Sequence, residues 1–213
     1  MRLTFILSSA LALTLSNPAD AQLIRSAGLK LGASAASQDW RYSMRGVTLD
    51  AKTIWGIDVG GFVEWFNLPV FSVSMEAHYI QKGFEVTLPV STTQSPDGNG
   101  TFKTTSARVN YFSIPALVKC RLDLGSSTLY ALGGPRVDFL LSYTDEGFAV
   151  VFKDFRSSEL GLTIGIGLEA IPIDRFRLGA EFRYSPTVQD SYSTNFLTVR
   201  NRSLELLLVL QIE

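Results

Sequence analysis

"RFRLGAEFRY", residues 175–184, alternates a charged or very small residue with an apolar one for ten positions without a slip. Arg175, Arg177, Gly179, Glu181 and Arg183 fall on one face of an extended chain, and Phe176, Leu178, Ala180, Phe182 and Tyr184 on the other. Period two means a strand. It leaves open which face is inside, because a soluble sheet buries the apolar side whereas a lipid-embedded sheet turns that side outward. The fold depends on where the charges go.

The same alternation recurs along the chain. Leu160, Leu162, Ile164, Ile166 and Leu168 alternate with Glu159, Gly161, Thr163, Gly165, Gly167 and Glu169, and Leu204, Leu206, Leu208, Leu210 and Ile212 with Ser203, Glu205, Leu207, Val209 and Gln211. Trp55, Ile57, Val59, Gly61, Val63 and Trp65 face away from Gly56, Asp58, Gly60, Phe62 and Glu64. Residues 71–80 oppose Phe71, Val73, Met75, Ala77 and Tyr79 to Ser72, Ser74, Glu76, His78 and Ile80, and a fourth strand over residues 111–121 comes after a long polar connection. Residues 129–141 set Tyr130, Gly134, Arg136 and Asp138 on the polar side, and Leu29, Leu31, Ala33 and Ala35 mark a fainter first strand. Eight strands result.

Their connections alternate in length. Asn67-Leu68-Pro69, Leu124-Gly125-Ser126-Ser127 and Pro172-Ile173-Asp174 are short and rich in turn residues, while the long ones carry polar, Gly-rich material such as "TTQSPDGNGTF", residues 92–102. Eight antiparallel strands connected this way have one rim of tight turns and one of loops, the layout of an outer-membrane barrel.

Three features favour that arrangement over a soluble lipocalin-like barrel, which would bury its apolar face around side chains or a small ligand. The polar faces carry Gly56, Gly60, Gly134, Gly161, Gly165, Gly167 and Gly179, small residues that a narrow lumen needs and a wet surface does not. Their charges nearly balance: Lys30, Lys119, Arg121, Arg136, Arg175, Arg177 and Arg183 against Asp58, Glu64, Glu76, Asp138, Glu159, Glu169, Glu181 and Glu205. In a lumen they can pair, which buried charges must do. Trp55 and Trp65 share the apolar face ten residues apart. At about 3.4 Å per residue and a tilt of about 40°, that is roughly 25 Å along the axis, the height of an apolar band between aromatic girdles. Tyr79, Tyr143 and Tyr184 are further girdle candidates. The expected fold is therefore an all-β, eight-stranded antiparallel transmembrane barrel with short periplasmic turns and long external loops.

Arg2, the mostly apolar residues 3–15 and Ala19-Asp20-Ala21 read as a secretory signal peptide over residues 1–21, with the barrel domain over residues 22–213. The 213 residues carry 19 Lys plus Arg against 20 Asp plus Glu, spread along the chain, which speaks against nucleic acid as a partner. Cys120 is the only cysteine and excludes an internal disulfide.

The ordered set Glu76, Tyr79, Gln81-Lys82-Gly83, Tyr111-Phe112-Ser113-Ile114-Pro115 with Lys119, Leu132-Gly133-Gly134-Pro135 and Gly165-Ile166-Gly167-Leu168-Glu169 resembles the PorT-like outer-membrane β-barrel proteins of Bacteroidetes and relatives. The resemblance spans essentially the whole chain after residue 21. It implies an eight-stranded outer-membrane barrel with a periplasmic N-terminus, no shared enzymatic activity, and a namesake that contributes to protein secretion. One departure is the ending Leu210-Gln211-Ile212-Glu213, which lacks the aromatic residue that the assembly machinery usually meets.

His78 is the only histidine and hence the one ordinary imidazole base. With Ser74 and Glu76 on the same face it could serve a small lipid-modifying enzyme; the alternative is a histidine hydrogen-bonded among lumen charges. Neither the glycines of "GIGLE" nor the single Asp of "SPDGNG" makes a nucleotide or calcium site, and no cofactor or metal is expected. The lumen network is expected from Asp58, Glu64, Glu76, His78, Lys119, Arg121, Arg136, Asp138, Glu169, Arg177, Glu181, Arg183 and Glu205, with Arg177, Glu181 and Arg183 pairing to carboxylates such as Glu169 and Glu205. Trp55, Trp65, Tyr79 and Tyr184 are expected to form the girdle. The sequence thus points to a non-enzymatic, monomeric barrel in contact with outer-membrane lipid and lipopolysaccharide. Its external loops would serve envelope integrity, adhesion or docking of an envelope protein. Charging Leu178 is expected to be more damaging than neutralising Arg177.

Overall fold

The computed structural model describes residues 23–43, 49, 51–66, 68–89, 102–145 and 152–212. The expected signal peptide lies outside them. The strands are β1 (Ile24–Tyr42), β2 (Ile54–Trp65), β3 (Phe71–Pro89), β4 (Phe102–Asp123), β5 (Thr128–Asp145), β6 (Ser158–Ile173), β7 (Phe176–Pro186), β8 (Tyr192–Ser193) and β9 (Leu197–Ile212). Neighbours in sequence pair antiparallel, except that β7 pairs β9 directly and β8 is a two-residue appendage of β9. Because β1 also pairs with β9, the wall closes and no long strand is left as an edge.

The register fixes the slant of the strands. Tracing hydrogen-bonded partners from Trp65 leads to Val73, Val118, Gly133, Ile164, Tyr184, Leu204 and Ala35, then back into β2 at Trp55. One circuit thus climbs from one tryptophan to the other. A stagger of this kind obliges the strands to tilt, typically by about 35–45°.

Every wall strand sends alternate residues outward and inward, and over most of the wall the outward set is apolar. Leu206, Leu208, Ile164, Ile166 and Leu31 are exposed, while Lys30, Glu76, Glu181 and Arg183, at similar positions along the wall, are buried inside. Between them the glycines make room. A Cβ on Gly167 would lie 2.2 Å from Cζ of Tyr130, so the Tyr130 ring occupies the space that this glycine vacates.

Toward the long-loop rim the alternation on β3 and β4 keeps its phase and exchanges its polarity. On β3 the inward residues run Ser72, Ser74, Glu76, His78, Ile80, Lys82 and then Phe84 and Val86, while the outward ones change from Phe71 to Tyr79 into Gln81, Glu85 and Thr87. On β4 Ala107 and Val109 point inward, and Ser106, Arg108 and Asn110 outward. Trp40 and Val199 add to the inward set, and Phe152 and Phe155, from the connection between β5 and β6, fill the middle. Trp40 and Phe84 stand 5.2 Å apart, and Phe152 and Phe155 4.7 Å apart, between ring centroids. Where the outside is suited to hydrocarbon the inside is ionic, and where the outside turns polar the inside becomes an apolar core. The physical rule is the same: each surface matches what it touches.

Two expectations need correction. The third strand does not end at Ile80 but runs on to Pro89, and the fourth begins at Phe102, so much of the supposed polar loop is ladder. Arg175 is not a lumen residue: it is exposed in the tight turn with Asp174, whose φ of 55° is the left-handed value such a turn uses.

Candidate functional site

The lumen contains three layers of charge. Nearest the tight turns, Glu64 on β2 takes Lys119 at 3.1 Å and Arg25 at 3.4 Å, and makes a short contact with Arg121. Arg121 also donates to Ser72 Oγ and lies 3.7 Å from Glu169. The Phe62 ring has two ammonium groups near it, Lys119 Nζ at 5.1 Å and Lys30 Nζ at 4.8 Å from its centroid, and its π-system attracts both.

The middle layer is the most tightly paired. Lys30 Nζ donates to Glu76 Oε1 at 2.7 Å and to Glu181 Oε1 at 2.8 Å, and Arg183 Nη2 lies 2.8 Å from Glu76 Oε2 and 2.5 Å from Glu181 Oε2. Tyr130 donates its hydroxyl to Glu181 at 2.7 Å. His78 joins this layer with Nδ1 2.6 Å from Asp58 Oδ1 and Nε2 2.9 Å from Glu76 Oε2. Two ring nitrogens that each face a carboxylate require two ring protons, the donor state of an imidazolium.

Toward the long loops, Lys82 donates to Asp138 at 2.6 Å, with Arg136 Nε 3.1 Å from the same carboxylate and Arg136 Nη1 3.5 Å from Glu205. Glu205 accepts from Ser203 and Ser185, and Glu159 accepts from Tyr111 at 2.7 Å and from Asn201. Gln38 donates to Asn201 in turn, directly below the indole of Trp40, whose Nε1 donates to Gln38.

Of the sequence candidates, Asp58, Glu64, Glu76, His78, Lys119, Arg121, Arg136, Asp138, Glu169, Glu181, Arg183 and Glu205 are buried, and Arg177 is half-buried beside the β6–β7 turn. Arg183 takes Glu76, across the lumen, and Glu181, on its own strand, instead of the expected Glu169 or Glu205. Glu205 goes to Arg136 and Glu169 to Arg121. Trp55 is exposed and Trp65 half-buried on the outward face. Tyr79 accepts from Gln81 at 3.2 Å where β3 turns polar, and Tyr184 pairs with Ile164 and Leu204 on the wall. Tyr143 stacks on Phe152 instead, with centroids 5.7 Å apart. Sequence reasoning misses Lys82 because it ends the third strand too early, although the even-numbered run through 78, 80 and 82 carries the signal.

An ionic interior inside an apolar exterior decides the class. The sequence matches the outer membrane protein beta-barrel domain over residues 20–193. The chain belongs to that family. It is accordingly an integral barrel of the bacterial outer membrane, with the tight turns on the periplasmic side and the long loops outside. No curated protein sequence matches this barrel. Among solved structures it is similar to the outer membrane protease OmpT from Escherichia coli, at 8% identity, 93% of this chain, 99% of that chain and a TM-score of 0.50. It is also similar to Neisserial surface protein A, at 14% identity, 86% and 96% coverage and 0.47, and to OprG from Pseudomonas aeruginosa, at 10% identity, 88% and 97% coverage and 0.47. At these identities the likeness concerns the fold alone.

The barrel's geometry also bears on the lipid-enzyme reading of His78. Ser74 donates to Glu76 at 3.1 Å, and both nitrogens of His78 are engaged by carboxylates. A base that activates a hydroxyl needs an unprotonated nitrogen facing it. His78 is moreover buried on the lumen side of the wall, away from the lipid-facing surface.

Proposed function

We propose that this chain is a non-enzymatic outer-membrane barrel that acts as a rigid pedestal. It holds its long-loop rim clear of the membrane for adhesion or for docking of an envelope partner, and its wall sits against outer-membrane lipid and lipopolysaccharide as a monomer. The observation that carries this reading is the continuation of β3 and β4 past the lipid-facing band into an extension locked by Trp40, Phe84, Phe152 and Phe155. A rim tied together by an aromatic core keeps a fixed shape, which lowers the ordering cost of binding. The ion pairs below favour a solid support over an aqueous pore, since a pore needs an open lumen.

PorT-like kinship, export by a cleaved signal peptide of residues 1–21 and a link to secretion machinery fit this reading, on the strength of the ordered motifs from Glu76 to Glu169. Crosslinking and pull-down from intact envelopes tests it. A partner captured by the native chain, and lost when the β3–β4 tip from Thr87 to Lys103 is replaced by a short turn, is the expected result. Stable ion conductance in planar bilayers, or an altered lipid A profile that disappears with His78→Ala, overturns it.

A further inference from the structure

Each of the three periplasmic turns holds a residue with a left-handed backbone, and two of them use types that adopt it readily: Gly125, φ 83°, between β4 and β5, and Asp174, φ 55°, between β6 and β7. Between β2 and β3 the residue is Phe66, φ 63°. A bulky side chain disfavours this backbone, so an aromatic ring is kept there at a conformational cost that glycine or asparagine would avoid. The packing of the barrel does not explain the ring, because Phe66 is exposed.

Its surroundings are apolar too. Leu23, Leu68 and Val70 are exposed as well, and residues 65–75 include no charged residue. The other two turns differ: one exposes Asp174 and Arg175, the other Asp123 and Ser126. The backbone between β2 and β3 is engaged within the protein. Phe66 N–H donates to Leu23 O at 2.9 Å, Leu68 N–H to Phe66 O at 2.9 Å, and Pro69 has no N–H to offer. Leu68 O accepts from Arg25 Nη1 at 3.3 Å and Val70 O from the Arg121 N–H at 2.8 Å. Polar groups paired in this way lose little on leaving water. The apolar patch continues into the lipid-facing wall through Trp65 and the outward residues Phe71 and Val73.

We propose that the β2–β3 turn is a lipid anchor: Phe66, with Leu23, Leu68 and Val70, is seated in the headgroup–acyl boundary of the periplasmic leaflet and not in the periplasm. Continuity with the wall selects lipid as the occupant, since the leaflet that lies against Trp65 and Phe71 meets the patch without an intervening polar rim. Burial of these apolar side chains at the interface offsets the backbone cost of Phe66. The charged β6–β7 turn stands half a circuit away, so the periplasmic rim is anchored on one side only. The anchor rests on the membrane placement of the barrel and is independent of what docks on the external rim.

Fluorescence quenching of the full chain refolded into phosphatidylcholine vesicles tests it. The chain carries Cys120→Ser and an environment-sensitive fluorophore on one new cysteine, either Leu68→Cys or, in the β4–β5 turn, Ser126→Cys. A nitroxide-bearing lipid should quench the label at Leu68→Cys, and iodide on both sides of the membrane should quench it about fivefold less than the label at Ser126→Cys. Adding Phe66→Asn, which suits the left-handed backbone, should keep the heat-modifiable mobility and raise iodide quenching at Leu68→Cys about threefold. If Phe66→Asn loses the folded band, Val70→Ser takes its place with the same expectation. Iodide quenching that is equal at the two turns, or unchanged by the added substitution, overturns the anchor. Protection from iodide without quenching by the lipid nitroxide means that protein covers the turn, and overturns lipid as the occupant.

Discussion

Arg183 Nη2 lies 2.8 Å from Glu76 Oε2, yet β7 and β3 stand four strands apart whichever way round the wall is traced. The pair spans the lumen. A contact of this length between opposite walls is possible only in a narrow barrel, and it ties the two halves together at mid-height. Lys30 and His78 bind the same carboxylate from other directions, so Glu76 is the point at which three cationic side chains meet.

Glu76→Ala should therefore be the most damaging of the lumen substitutions. It leaves Lys30, Arg183 and His78 each short of a partner in a buried site, and loss of one member of a buried ion pair costs about 3–5 kcal/mol. Arg183→Met should cost less, because Glu76 keeps Lys30 and His78 while Glu181 keeps Lys30 and Tyr130. Urea unfolding of the refolded barrel, monitored by heat-modifiable mobility, ranks the two; equal midpoints would contradict the convergence on Glu76.

The wall should punish charge according to depth. Leu206, outward in the middle of β9, is 61% exposed, and Leu206→Arg should cost about 2–4 kcal/mol as a mid-bilayer arginine. Leu178, expected from sequence to be a sensitive lipid contact, lies two residues from the start of β7 at the periplasmic turn. Leu178→Arg should cost only about 0–1 kcal/mol. Comparable losses at both positions in lipid-vesicle refolding titrations would mean that the band is misplaced.

Removing the centre of the external core should loosen the rim and spare the membrane part. Phe152 is buried against Phe84, Tyr143 and Phe155, and a buried Phe→Ala change costs about 3–5 kcal/mol where its surroundings cannot collapse. Phe152→Ala should make the external loops protease-sensitive on cells at unchanged heat-modifiable mobility. Loss of the folded band itself would show that rim and wall are one cooperative unit.

A steric exchange is expected at Gly167 and Tyr130. Gly167→Ala places a methyl within the Tyr130 ring and should block assembly, whereas adding Tyr130→Ala should restore part of it by vacating that space. Yields of folded protein from the single and double variants decide the matter: a double variant no better than Gly167→Ala alone would show that backbone, not ring, sets the limit.

The departures from the sequence reading share one cause. Phe84, Val86, Ala107 and Val109 alternate with Glu85, Thr87, Ser106 and Arg108 at strand period, but an eye tuned to a lipid-facing apolar face sees the pattern fade at Ile80 and takes residues 81–110 for a loop. The period persists over residues 81–89 and 102–110, and only the identity of the solvent on the outside has changed. Likewise Arg175 extends the alternation of "RFRLGAEFRY" by one position into a turn, where alternation no longer means a wall.

By itself, the sequence determined that these residues form strands, which of them share a face, and that the charged face lies within, because period-two alternation and chain-wide charge balance are local or additive properties. Tertiary structure alone decided who meets whom. Arg183 turns to Glu76 and not to Glu205 because closure of the wall, with the stagger that carries Trp65 round to Trp55, brings β3 and β7 face to face. That juxtaposition is set by the circuit of the whole barrel, which no segment of the chain encodes alone.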